Sequence, residues 1–175
     1  SGRAAMGYHS APGGPATRPY LGFEEMFRGP ESIVRDRQRP YVDVLRGRGP
    51  VVDMGCGRGE LLDLCREAGI PAVGVDVDSG MVARCRGTGH HVEQADALEY
   101  LARQADGSMG AIFSAQFIEH LPYESLIRFL QLSYRKLAAD GLFVAEAVNP
   151  HSIQAFKAFW TDLTHERPIF PETLL

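Results

Sequence analysis

From Pro50 onward the chain alternates short apolar runs with segments of helical periodicity, and this alternation leaves few folds open. Pro50–Met54 is an apolar run of strand length. Leu61, Leu64, Cys65 and Ala68 then fall at i, i+3, i+4 and i+7, one face of a helix that Gly69 ends. Ala72–Val75 is a second buried strand, and Asp78 or Ser79 can cap a helix running to about Arg86. His91–Gln94 predicts a weak third strand, Ala97–Gln104 a helix, and Ala111–Ser114 a fourth strand. Leu126, Ile127, Leu130, Tyr134 and Leu137 mark a long helix ending at Asp140–Gly141, and Leu142–Val148 a fifth strand. Ile153, Phe156 and Trp160 suggest one more helix, capped by Ser152. Strands separated by helices of this length form a parallel sheet with right-handed crossovers. The expected class is therefore α/β, a doubly wound parallel sheet with helices on both faces and five recognisable strands.

Ahead of the first strand, Ile33, Val34, Tyr41, Val44 and Leu45 fit a helical stripe, which Pro40 kinks or splits in two; Gly47–Pro50 is a turn. Residues 1–19, rich in Gly, Ala and Pro, predict a disordered arm, part of it vector-derived. Residues 20–175 make one domain, since a chain of 175 residues suits a single core. Hydrophobic residues are 45% and charged residues 23%, the balance of a soluble globular protein. A net charge of −4 gives no footprint for sequence-independent nucleic-acid binding. No apolar run approaches the roughly 20 residues that cross a bilayer, so no membrane insertion is expected. The three cysteines, Cys56, Cys65 and Cys85, do not read as a disulfide framework. No Cys-x-x-Cys or His-x-x-x-His spacing suggests zinc, and no metal is expected. Together these point to a reduced, cytoplasmic protein. The sequence carries no signal for oligomeric state.

In open α/β sheets ligands lie beyond the carboxyl ends of the strands, so the residues just after each strand are the ones to read. After strand one comes Asp53-Met54-Gly55-Cys56-Gly57-Arg58-Gly59-Glu60. Glycines at alternate positions allow a sharp turn and a close approach to a ligand, and a helix starting near Arg58 would aim its N–H groups there. The plain alternative is a tight strand–helix turn. After strand two, Asp76 stands where an acid can accept hydrogen bonds from a ribose diol, while Asp78 fits a helix cap better. After strand three, Asp96 can accept from an adenine amino group, cap a helix, or do both. After strand four, Glu119 and His120 form a candidate acid/base pair.

In order and spacing, Val51 to Asn149 resembles the class I S-adenosylmethionine (SAM)-dependent methyltransferases, whose sheet is Rossmann-like. Asp53-x-Gly55-x-Gly57-x-Gly59 looks like that family's first motif; in a nicotinamide-dinucleotide loop the third glycine would fall one residue later. The resemblance implies SAM as cofactor and S-adenosylhomocysteine as product. It puts the methionine part of SAM on Asp53, Gly55, Cys56 and Gly57, the ribose on Asp76 and the adenine on Asp96 and Ala97. Met54 and Val77 would pack against the cofactor, Gln116 would border it, and Arg28, Arg35 or Arg37 would pair with its carboxylate. A narrower resemblance covers Phe27-Arg28-Gly29, Arg37-Gln38-x-x-Tyr41, Glu119-His120-Leu121, Glu146 with Asn149-Pro150, and Asp162-x-Thr164-His165-x-x-Pro168. These are similar to a bacterial branch associated with glycosyltransferases and surface-polysaccharide biosynthesis. That branch implies a small-molecule or carbohydrate-linked acceptor. The family's sheet usually carries two further strands as a C-terminal hairpin; this chain shows none, which predicts C-terminal truncation.

An oxygen acceptor of high pKa needs a base, and the candidates are His120 and His165, with Glu119 or Asp162 orienting or assisting. His165 lies in a tail that could fold over the site or simply pack locally. Phe156, Phe159 and Trp160 would wall an acceptor pocket or form the buried face of a helix. His90, His91 and His151 show no convergent partner in the sequence, and His9 lies in the arm. Two other functions stay open at this point: a non-catalytic SAM-fold module of a larger biosynthetic protein, and an NAD-binding oxidoreductase.

Overall fold

The structure, a computed structural model, describes residues 29–174. The expected arm and Arg28 lie outside the described residues. Helix α1 (Glu31–Leu45) is one continuous element through the exposed Pro40 and buries Val34, Gln38, Val42 and Leu45 along one stripe. The elements then alternate: β1 (Val51–Met54), α2 (Glu60–Glu67), β2 (Ala72–Asp76), α3 (Ser79–Gly87), β3 (Val92–Gln94), α4 (Ala97–Arg103), β4 (Met109–Ala115), α5 (Tyr123–Lys136), β5 (Leu137–Glu146) and α6 (Ile153–Phe159). The caps read from sequence are in place. Asp78 accepts from the N–H groups of Gly80 and Met81, Asp96 from those of Leu98 and Glu99, and the Ser152 hydroxyl from that of Ala155.

The five strands form one sheet in the order β3-β2-β1-β4-β5, with every neighbouring pair parallel. The alternation of side chains along each strand sorts the core into two layers. Val52 and Met54 of β1 and Ile112 of β4 face α4 and α5, packing with Leu101, Phe117, Leu126 and Phe129. Val51, Ala111, Phe113 and Ala115 face the other way, against Val42 and Leu45 of α1 and Leu61, Leu64 and Cys65 of α2. A smaller cluster, Cys56, Leu62, Val82, Cys85 and Val92, fills the space under α3.

One boundary differs from the sequence expectation. The helix predicted to reach Asp140–Gly141 ends at Lys136, and β5 begins at once with Leu137 paired to Met109. The register then jumps, pairing Ala111 with Leu142, so residues 138–141 bulge out of the sheet. Lys136 is the stop: its buried ammonium donates to Gln104 O at 2.7 Å and to Asp106 at 2.6 Å. That tether turns the chain into the sheet before the apolar periodicity of the helix runs out.

Phe129 is fully buried in the α5 layer, its ring edge-to-face with Phe117 at 5.3 Å and Phe143 at 6.0 Å. Phe129→Ala is expected to cost about 3–5 kcal/mol of folding stability. Urea unfolding should show a lower midpoint with little change in slope.

Candidate active site

Because all five strands run the same way, their carboxyl ends share one edge, and the candidate residues collect there. The loop after β1 is shaped by left-handed backbone. Gly55 has φ +70°, and a Cβ there would stand 2.9 Å from the Phe117 ring. Gly59 has φ +87°, and a Cβ there would stand 2.9 Å from Cys85 Sγ. Both positions therefore need glycine for conformation and for packing. The N–H groups of Gly55 and Cys56 donate to Val75 O, pinning the loop to β2. Helix α2 starts at Glu60, later than expected, with Gly59 as its left-handed cap. Arg58 turns inward instead, its buried guanidinium bonded to Glu60 at 2.8 Å and to Gly29 O at 3.1 Å.

Under the loop, Cys56 and Cys85 lie side by side, and the Cys85 thiol donates to Gly57 O at 3.3 Å. The Cys85 thiol and burial together push the Cys56 thiol up, far from thiolate formation. Cys56 is thus apolar packing for the loop. Asp53, one strand residue earlier, is 4% exposed.

Asp76 ends β2 as a buried residue, 7% exposed. One carboxylate oxygen accepts from Gly57 N at 2.8 Å and the other from Asp78 N at 2.9 Å. It therefore ties the glycine loop to the next turn. Val77 beside it is half-buried, its carbonyl accepting from Gln94 at 3.3 Å. Asp96 uses one oxygen as the cap of α4, whose first residue is the buried Ala97. Gln116, just past β4, is the one non-glycine residue of positive φ (52°) among the described residues. Its N–H donates to Glu146 O at 2.7 Å. A backbone conformation of this kind costs on the order of 1–3 kcal/mol and is typical of functional turns.

Beyond Gln116 the chain makes a 3-10 turn, Ile118–His120, anchored by buried Ile118 and a fully buried Glu119. Here the fold brings together residues far apart in sequence. Glu166 N–H donates to Glu119 O at 2.9 Å, laying the segment after α6 against the turn. The His120 and His165 rings stand 4.6 Å apart. His165 also stacks on buried Phe159 at 4.2 Å, and its Nδ1 is 2.7 Å from Phe159 O. A carbonyl only accepts, so His165 carries its proton on Nδ1. Thr164 Oγ1 is 2.6 Å from Asp162 Oδ1 and 2.9 Å from His120 Nδ1. The carboxylate takes the hydroxyl proton, so the hydroxyl accepts from His120, which is likewise protonated on Nδ1. Both imidazoles then present their lone pair on Nε2. Asp162 Oδ2 lies 3.8 Å from His165 Nε2.

Other candidates go elsewhere. Arg35 is engaged by Glu67 and by Asp63 at 3.5 Å, and Arg37 is exposed. Trp160 is also exposed, leaving Phe159 as the buried aromatic of α6. Two histidines read as lacking convergent partners do have them: His90 meets Asp63 at 3.0 Å and His151 meets Glu172 at 3.3 Å. Tyr41 and Glu146, from separate flanking motifs, meet across α1 and β5.

The family model described as a methyltransferase domain matches residues 24–172. A SAM-dependent methyltransferase from Archaeoglobus fulgidus is 41% identical, with a TM-score of 0.85 over 89% of this chain and 70% of its own. The chain belongs to the SAM-dependent methyltransferases. The sugar N-methyltransferase KedS8 from a Streptoalloteichus species shares the fold at 23% identity and TM-score 0.56, over 87% of this chain and 63% of its own. A Thermotoga maritima SAM-dependent methyltransferase, possibly a histamine N-methyltransferase, does so at 19% identity and TM-score 0.61, over 79% and 62%. Among curated proteins none matches. The cofactor of this methyltransferase is SAM, and the family replaces the oxidoreductase alternative. No helix among its described residues is long and apolar enough to cross a membrane.

The methyltransferase should lose stability in alkali. Burial, and then Glu146, push the Tyr41 phenol from 10.0 up to about 12; burial, and then Asp53, push the Cys65 thiol from 9.0 up to about 12. Both groups stay protonated in the folded state at a pH where the unfolded chain has released the proton. Their contribution is complete below pH 9 and is lost as pH rises toward 12. Urea unfolding at intervals from pH 8 to pH 11.5 should show a falling free energy, with a shallower fall in Tyr41→Phe.

Proposed function

We propose that this methyltransferase moves the methyl group of SAM to an oxygen of a small-molecule or carbohydrate-linked acceptor. The observation that carries this reading is the Asp162–Thr164–His120 chain of hydrogen bonds beside the Gln116 turn. It fixes the His120 tautomer with the lone pair on Nε2, as a general base requires. His165 presents its own Nε2 from the adjoining ring, and the fully buried Glu119 lies at the same corner. The sugar N-methyltransferase KedS8 shares the fold, which supports a sugar as an acceptor that this architecture accommodates.

In this reading Asp53, Gly55, Cys56 and Gly57 frame the methionine end of SAM, Asp76 receives the ribose hydroxyls, and Asp96 and Ala97 face the adenine. Gln116 borders the sulfonium, and Arg28 pairs with the carboxylate. The acceptor oxygen attacks the methyl carbon, and the sulfur keeps the electron pair of the broken bond. The acceptor proton passes to His120 Nε2. Alignment of oxygen, methyl and sulfur supplies much of the rate, worth up to about 7–11 kcal/mol in well-oriented systems.

Calorimetric titration tests the cofactor half. SAM and S-adenosylhomocysteine should bind, NAD should not, and Asp76→Ala should weaken binding by about 1–2 kcal/mol. For the acceptor half, His120→Ala should keep S-adenosylhomocysteine affinity while methyl transfer to hydroxylated glycans falls on the order of 10²–10⁴-fold. Transfer at the wild-type rate in that variant would remove His120 from the chemistry.

A further inference from the structure

The corner formed by Glu119, His120 and His165 has the composition of a metal centre. One donor atom from each of the three residues lies within 4.8 Å of the other two. Donors sharing one transition ion stand roughly 3–3.5 Å apart, given metal–ligand bonds of about 2.0–2.2 Å. Side-chain adjustments on the order of an ångström would close the set. Two imidazoles and a carboxylate are a recurrent donor set for divalent transition ions that keep positions open for other ligands.

The hydrogen bonds behind the cluster point the same way. A metal-binding imidazole characteristically gives its other ring N–H to a carbonyl, a carboxylate or a comparable acceptor. Here His165 Nδ1 is bonded to Phe159 O at 2.7 Å, and His120 Nδ1 to Thr164 Oγ1 at 2.9 Å, with Asp162 behind the hydroxyl. Both tautomers leave Nε2 as the donor atom. Asp162 Oδ2, 3.8 Å from His165 Nε2, stands near enough to join the set or to hold a bound water. Glu119 contributes a carboxyl group withdrawn fully from solvent.

We infer that Glu119, His120 and His165 bind one divalent transition-metal ion, such as Zn²⁺ or Co²⁺, on the acceptor side of the methyltransferase site. The ion's role there rests on the proposed oxygen chemistry; its binding does not. With the ion bound, His120 acts as a ligand in place of a base. The acceptor hydroxyl coordinates the cation, loses its proton to solvent water, and attacks the methyl carbon as an alkoxide, while the sulfur takes the electron pair of the departing bond.

The test is titration of the untagged, chelator-treated protein with Co²⁺, followed by visible absorption. Saturation at one equivalent is expected. Affinity should fall at least tenfold in His120→Ala and His165→Ala, and about 10–100-fold in Thr164→Val, which reaches the three ligands through its bonds to His120 and Asp162. S-adenosylhomocysteine binding, measured on every sample, reports a folded cofactor half. If the His variants fail to bind it, Thr164→Val carries the comparison. Wild-type protein that binds S-adenosylhomocysteine but shows no saturable Co²⁺ band overturns the inference and leaves His120 as the base. So does a Co²⁺ titration that Thr164→Val and the His variants leave unchanged. A normal Co²⁺ site with no transfer to hydroxylated acceptors would uphold the ion and count against oxygen as the methyl acceptor.

Discussion

The parallel pairing of β1 with both of its neighbours is the constraint on which the rest depends. β1 lies between β2 and β4, so the chain leaves it toward one side of the sheet and later returns on the other. Parallel neighbours cannot be joined by a tight turn, so each connection crosses a face as a helix and covers it. The same constraint sends every strand's carboxyl end to one edge. The glycine loop, Asp76, Asp96 and Gln116 share one edge of the sheet for this reason. The strand order reverses between β1 and β4, and open parallel sheets take their ligands at such a point.

Along that edge the polar groups hold each other. Asp76 spans the glycine loop and the following turn through Gly57 N and Asp78 N. Asp96 holds the first turn of α4, and Gln116 is bent out of ordinary backbone space and fastened to β5. Polar groups tied together in this way are ordered in advance of any ligand. The edge has two parts that differ in construction. One is built of loops directly continuous with strands. The other is assembled from the 3-10 turn after β4 and from the segment after α6, joined by the Glu119–Glu166 backbone bond.

Much of this architecture was legible in the residues. All five strands and the helices between them follow from apolar periodicity, and the caps at Asp78, Asp96 and Ser152 follow from side-chain chemistry one turn away. The misplaced end of α5 has a tertiary cause. Leu137 continues the helical stripe perfectly well, and only the capture of Lys136 by Gln104 and Asp106 takes the chain out of the helix. The start of α2 has a similar cause. Nothing in the local pattern distinguishes Arg58 from an exposed first-turn residue until its guanidinium is buried against Glu60 and Gly29.

The sequence by itself determined the alternation, the glycine loop after β1, and the acids that follow the strands. These are local properties, carried by spacing within a few residues. It named His120 and His165 as separate candidates because nothing in a linear chain measures the distance between them. Only the tertiary structure decided that their rings stand 4.6 Å apart, and that Asp162 and Thr164 fix the tautomer of one while Phe159 O fixes that of the other. Contacts of that kind are made by the closing of the chain on itself. Their geometry depends on the packing of two segments against a common sheet edge, and no spacing rule within either segment contains it.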